Sequence, residues 1–143
     1  MGLHRGVWEV YASAVDDVEL ITDSLKWLSG NKPQIEKKQE KSVFGSIQTI
    51  LKSSMNSKDA RLSLANLSEE SKEKLRKNNE IERRIDEQKN FHIRIKLSDL
   101  VMGIVKLSEK EEDVIVKGKF KIEAYPGDDL VSKIKDIIEI NRK

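Results

Sequence analysis

The sequence predicts an α+β fold: an antiparallel or mixed sheet of about four to five strands with helices packed on one face. Three observations carry this. Two runs, 91–97 and 114–125, alternate apolar and polar residues with period two. Other stretches place apolar residues at helical spacing, as Val18, Ile21, Leu25 and Leu28 do. The elements read in order as strand, helix, two weak strands, two helices, strand, short helix, strand, helix, which is an α+β pattern. The 143 residues suit one domain spanning 1–143.

Residues 7–15 are rich in β-branched and aromatic side chains and read as the first strand. They are apolar on both faces over much of their length, which places the strand centrally. His4 falls before it, in a terminus expected to fray. Asp16 can accept the free N–H groups of the next helix, with Glu19 at the capping-box position. Trp27 flanks the stripe of that helix. Gly30-Asn31 supplies the C-cap signal, and Pro33 supports the break. Residues 34–43 are rich in Lys, Glu and Gln and read as a solvated edge strand or a loop. Phe44-Gly45 marks a turn or bulge between paired strands. Residues 47–55 suit strand or helix, and that turn favours strand.

Ser57-Lys58-Asp59-Ala60 opens a helix with Leu62, Leu64 and Leu67 on its apolar face. Ser68-Glu69-Glu70 opens a second, with Leu75, Ile81 and Ile85 widely spaced. Its other face carries Lys72, Lys74, Arg76, Lys77, Glu80, Arg83 and Arg84, a solvated surface with i,i+4 pairs. Residues 86–90 form a polar turn. In the strand that follows, Phe91, Ile93, Ile95 and Leu97 share one face, and His92, Arg94 and Lys96 share the other. Ser98-Asp99 caps a short helix over 100–105, and 109–113 is a solvated charged loop without the ligand spacing of a cation site. In the final strand Val114, Val116, Phe120 and Ile122 face inward, and Lys117, Lys119 and Lys121 outward. Pro126 ends it, Asp128 caps the last helix, and Leu130, Ile134, Ile137 and Ile138 are buried there. Residues 141–143 are a polar tail. The core is expected to contain Trp8, Val10, Leu25, Leu28, Ile93, Ile95, Phe120, Ile122, Ile134 and Ile138.

If the strands over 91–97 and 114–125 pair, two cationic rows lie side by side on the solvent face. Like charges opposite one another destabilise a sheet, so such a face suits an anionic partner. The ordinary alternative is a row of lysines that keeps the sheet soluble. With 27 basic against 25 acidic residues, the position of the charges matters more than their sum.

Several classes are excluded. Without cysteine there is no disulfide or thiolate metal site, which fits a reducing compartment and a cytoplasmic location. No apolar run approaches the ~20 residues of a membrane span, and Gly6 stands where a myristoylation signal needs Ser or Thr. Gly103, Gly118 and Gly127 are isolated, so no phosphate-cradling loop is formed. His4 and His92 lack a recognisable carboxylate or nucleophile partner in sequence. No enzyme activity, cofactor or metal is expected.

The chain resembles a family described as archaeal predicted exosome subunits or RNA-binding proteins. The matching features run in order: Val15-Asp16-Asp17, Phe44-Gly45-Ser46-Ile47, the segment 84–94, and the closing Val116-Lys117-Gly118-Lys119-Phe120-Lys121-Ile122-Glu123-Ala124-Tyr125-Pro126. The resemblance implies the fold of the large-subunit ribosomal protein that binds five-S rRNA, and an RNA-related role. One segment departs. Ile95-Lys96-Leu97 stands where the family has Phe-Asp-Lys, so no role of that acidic residue carries over.

Two functions follow as expectations. In one, Arg94, Lys96, Lys117, Lys119 and Lys121 contact phosphates of a structured RNA, with His92 or Tyr125 stacking on a base. In the other, the chain is a protein-interaction subunit of an RNA-processing assembly, and the edge near 34–41 pairs with a partner strand.

Overall fold

The sheet is built outward from β1 (Leu3–Ser13), which pairs with β3 (Ile47–Met55) on one side and β5 (Ile115–Ile122) on the other. β2 (Ile35–Lys41) extends β3, and β4 (Asn90–Lys96) extends β5. The order is β2-β3-β1-β5-β4, and every pair is antiparallel. The structure is a computed structural model and describes residues 2–13, 16–30, 35–41, 45–77, 79–108, 110 and 114–139.

Among the described residues six helices complete the α+β fold: α1 (Val18–Leu28), α2 (Ser57–Ala65), α3 (Glu69–Leu75), α4 (Glu80–Arg83), α5 (Leu97–Leu100) and α6 (Leu130–Glu139). They pack on one face of the sheet. Every core residue expected from the sequence is buried there, from Trp8 and Val10 on β1 to Ile134 and Ile138 on α6. Parity explains this. An apolar row at every second strand position is removed from water only if the helices lie on that side.

The centre of the core is an aromatic pair. The Trp8 and Phe120 rings meet edge to face, with centroids 5.2 Å apart at 79°. Trp8 lies opposite Gly118, and Phe120 lies opposite Gly6. A Cβ at Gly118 would stand 2.6 Å from Trp8 Cζ3, and one at Gly6 would stand 2.5 Å from Phe120 Cδ2. Each ring therefore occupies the volume that a side chain across the ladder would need. Trp8 Nε1 donates to Ser63 Oγ at 3.2 Å, which ties β1 to α2.

Several local expectations are corrected. β1 begins at Leu3, so His4 is an exposed strand residue rather than part of a frayed end. β1 is central because it is paired on both sides, and not because both its faces are buried: Tyr11 is exposed. The N-cap of α1 is Asp17, which accepts from Leu20 N–H at 3.1 Å, whereas Asp16 accepts from Ser13 N–H at 2.7 Å. The single helix expected after Ser68 is two, α3 and α4, because Asn79 adopts a left-handed φ of 60° between them. Lys72, placed on a solvated face by its charge, is only 3% exposed.

The short helix comes earlier than 100–105: Leu97 opens α5, and Val105 instead bridges Leu67. Val114 is 58% exposed, since the ladder starts at Ile115 and Val114 lies beyond the last pair. The last strand stops at Ile122. Asp128 accepts from Tyr125 N–H at 2.8 Å and closes the turn, while Asp129 accepts from Val131 and Ser132 N–H at the start of α6. The ambiguous stretch 47–55 is strand β3, and the run at 35–41 is edge strand β2. The expectations for Val15, Asn31, Pro33, Gln34, Val43, Phe44, Glu109, residues 111–113 and the tail 141–143 lie outside the described residues.

Gly118→Ala should destabilise the protein by about 1–3 kcal/mol, the usual cost of overpacking a filled core. Urea denaturation followed by tryptophan fluorescence measures it, and an unchanged midpoint would show that the Trp8 ring shifts freely.

Candidate functional site

The face of the sheet opposite the helices is open, and its side chains are dictated by the same parity that buries Trp8 and Phe120. On β4 and β5, Arg94 lies directly opposite Lys117, and His92 lies opposite Lys119. On the other side of β5, Lys121 lies opposite Arg5, Lys119 opposite Val7, and Lys117 opposite Glu9. Glu9 in turn faces Lys52 on β3. Neighbouring strands are ~4.8 Å apart, and successive outward residues along one strand ~6.8 Å apart. Arg5, His92, Lys117, Lys119 and Lys121 thus converge on a concavity of about 470 Å³, with Glu9 and Lys52 also lining it.

These cations differ in how far they are committed. Lys96 Nζ lies 3.8 Å from Asp99 Oδ2, at the far end of β4. The ammonium of Lys121 donates to the Gln88 carbonyl. Lys117 Nζ stands 6.0 Å from the Tyr11 ring centroid, a cation–π contact. Among the described residues no ion pair engages Arg5, Arg94 or Lys119. Two like-charged pairs, Arg94 with Lys117 and Arg5 with Lys121, face each other across the ladders, an arrangement that costs stability.

His92 has a carboxylate partner that the sequence did not reveal. Its Nε2 lies 2.7 Å from Asp86 Oδ2. An ionised carboxylate only accepts, so the imidazole donates. Asp86 is itself held by its turn. Oδ1 accepts from Gln88 N–H at 2.8 Å and Asn90 N–H at 3.0 Å, and Oδ2 accepts from Asn90 Nδ2 at 3.3 Å. Lys89 completes the turn with a left-handed φ of 64°. The hydrogen bond from His92, followed by that from the Asn90 backbone, holds the Asp86 carboxyl well below the usual carboxylate range. The turn thereby orients the imidazole toward the rim of the concavity.

The structure brings together five of the residues singled out from the sequence, His92, Arg94, Lys117, Lys119 and Lys121, on two adjacent strands. Lys96 shares their face but lies opposite Ile115, away from the concavity. Tyr125 stands apart, 73% exposed in the turn beyond β5. Sequence reading missed Arg5, Glu9 and Lys52. Arg5 precedes the strand read from residue 7, but β1 begins at Leu3, and parity with Glu9 and Tyr11 places Arg5 on the open face. Among the described residues no three His, Asp or Glu converge as metal ligands.

Comparison with known proteins adds the following. A family model described as RNA binding matches residues 7–120. A DUF54 protein from Methanothermobacter thermautotrophicus shares the fold with a TM-score of 0.75 at 21% identity, covering 97% of this chain and 100% of that one. DUF54 proteins from Archaeglobus fulgidus and Sulfolobus solfataricus do so with TM-scores of 0.71 and 0.69 at 22% and 14% identity, covering 94% and 95% of this chain and 95% and 98% of theirs. At these identities the likeness speaks to the fold. No curated protein sequence matches.

The Asp86 turn generates a pH prediction. A carboxyl whose folded pKa is depressed stabilises the fold above its unfolded pKa, and this stability is lost as pH falls through the folded value. Wild type should therefore exceed Asp86→Asn in stability above about pH 4, and the difference should shrink steadily below the ordinary Asp value of 3.8. Urea midpoints from pH 2 to pH 6 check this; a pH-independent difference would remove Asp86 ionisation from the account.

Proposed function

The chain belongs to the RNA-binding family, and on that premise we propose that it is a non-catalytic RNA-binding protein whose open sheet face holds the phosphate backbone. The observation that carries this is the like-charge pairing of Arg94 with Lys117 and of Arg5 with Lys121, with Arg5, Lys117 and Lys121 lining one concavity. Such pairs destabilise the free protein and are relieved when an anion lies between them. Lys117, Lys119 and Lys121 step along β5 at a spacing of ~6.8 Å, which suits successive phosphates of one strand. Arg94 and Lys96 extend the row along β4. His92, held by Asp86, lines the concavity, where a base can stack, and the exposed Tyr125, apart in the turn beyond β5, offers a second ring for stacking. The RNA is structured, since phosphate contacts read its shape more than its sequence.

The finer parts of the proposal rest on the sequence resemblance. They are an accessory role in an exosome-type RNA-processing assembly, a cytoplasmic location, and kinship of fold with the ribosomal protein that binds five-S rRNA. A second reading, a protein-interaction subunit without RNA contact, draws on β2. It is an edge strand, paired among the described residues on one side only. Its Lys and Glu residues, however, are of the kind that blunt an edge against pairing.

Filter binding against a structured RNA at two salt concentrations tests the proposal. Lys119→Glu should weaken binding roughly tenfold across unrelated sequences, and Lys119→Ala should reduce the salt slope by about 1. Unchanged affinity in both variants would favour the protein-interaction reading. Labelled RNA incubated with the protein and Mg²⁺ should stay intact. Cleavage abolished by substituting one carboxylate would overturn the non-catalytic part.

A further inference from the structure

Glu9 is a carboxylate on the floor of a cationic concavity. It projects from the middle of β1, half-buried, between Lys117 on β5 and Lys52 on β3. Both lysines are its direct cross-strand neighbours, at a separation where opposite charges ordinarily pair. They do not pair with it. Lys117 turns its ammonium onto the Tyr11 ring instead, and among the described residues no hydrogen bond or ion pair engages the Glu9 carboxylate. Two acceptor oxygens therefore stand unclaimed at the point where the phosphate-binding rows converge.

Such a group cannot serve phosphate. It repels the backbone and lowers the affinity of every contact around it. It is suited to a neutral ligand group that presents two donors in a fork, because an ionised carboxylate only accepts and does so bidentately. Among the bases, guanine presents such a fork on its Watson–Crick edge, through N1–H and the N2 amino group. Adenine, cytosine and uracil each offer one donor group there. That edge is accessible only in an unpaired nucleotide.

We propose that Glu9 is the specificity-determining residue of the face and reads the Watson–Crick edge of an unpaired guanine in an RNA whose flanking phosphates lie on Lys117, Lys119 and Arg5. The inference rests on the RNA-binding reading and names the class of RNA that the site selects: a hairpin or duplex presenting an unpaired guanine, in a bulge or loop. Phosphate contacts position the strand, and the single carboxylate supplies discrimination that they cannot.

The test is fluorescence anisotropy with hairpin RNAs that carry one bulged nucleotide, either G, inosine, A, C or U, beside a fully paired hairpin. Inosine keeps N1–H and lacks the amino group. Wild type should bind the G bulge about tenfold tighter than the inosine bulge, in the range of a bidentate base contact. Glu9→Gln, which keeps the size of the side chain and removes its charge, should abolish that preference while binding the fully paired hairpin at least as tightly as wild type. The opposite signs separate base reading from electrostatics. A uniform gain for every RNA in Glu9→Gln, with the G-to-inosine ratio unchanged, would show that Glu9 merely tempers the positive field and would overturn the proposal. So would a wild type that binds all five bulges alike, a comparison that needs no variant. A wild type that binds none of the RNAs would overturn the RNA-binding reading itself, and this inference with it.

Discussion

The contact between Trp8 and Phe120 across two glycines is the constraint on which the rest of the structure depends. The rings fit because Gly118 lies under Trp8 and Gly6 under Phe120. A slip of one residue between β1 and β5 in either direction would set Trp8 against a lysine, Lys117 or Lys119, and turn the apolar rows into water. The indole N–H reaches Ser63 on α2, so the same ring that sets the strand register also sets where the helical layer docks. Burying a side chain of this size contributes on the order of 2–3 kcal/mol, more than any one exposed charge pair on the other face can oppose.

That difference in magnitude explains why the cationic face is tolerated. Like charges opposed across a ladder cost about 0.2–1 kcal/mol in an exposed setting, and water and salt screen them further. The register is chosen by the core, and Arg5, Arg94 and the β5 lysines are carried to the open face as a consequence. The helices never compete for that face. The fully buried apolar strand residues lie on the other side, and the open face keeps only scattered, partly exposed apolar side chains such as Val7, Tyr11 and Ile50, too few among the charges to attract a second layer.

The two edges of the sheet are managed differently. The outer side of β4 is closed by its own chain: His92 N–H donates to the Arg84 carbonyl at 2.8 Å, Lys96 N–H donates to the Lys106 carbonyl at 2.9 Å, and Leu107 bridges Ile95. Among the described residues β2 has no such cover, and its edge carries Glu36, Lys37, Lys38, Glu40 and Lys41. The turn that feeds β4 also holds Asp86 against His92, so the segment that seals the edge sets the imidazole at the rim of the concavity.

The sequence alone determined the period-two rows of β4 and β5, the helical stripes of α1 and α6, and hence the α+β class, because burial of alternate residues needs no knowledge of partners. It also determined that Lys117, Lys119 and Lys121 share a face with one another, and Arg94 with His92. Tertiary structure decided which rows stand opposite which. Residues 115–122 meet residues 3–9, more than a hundred positions apart, and only that pairing places Arg5 and Glu9 beside the lysines. It likewise decided that Gly118 makes room for Trp8, that Asp86 holds His92, and that a left-handed Asn79 divides α3 from α4. Local pattern records what one residue requires of solvent. Which side chains share a contact depends on how distant segments are brought together, and here the packing of two rings over two glycines settled it.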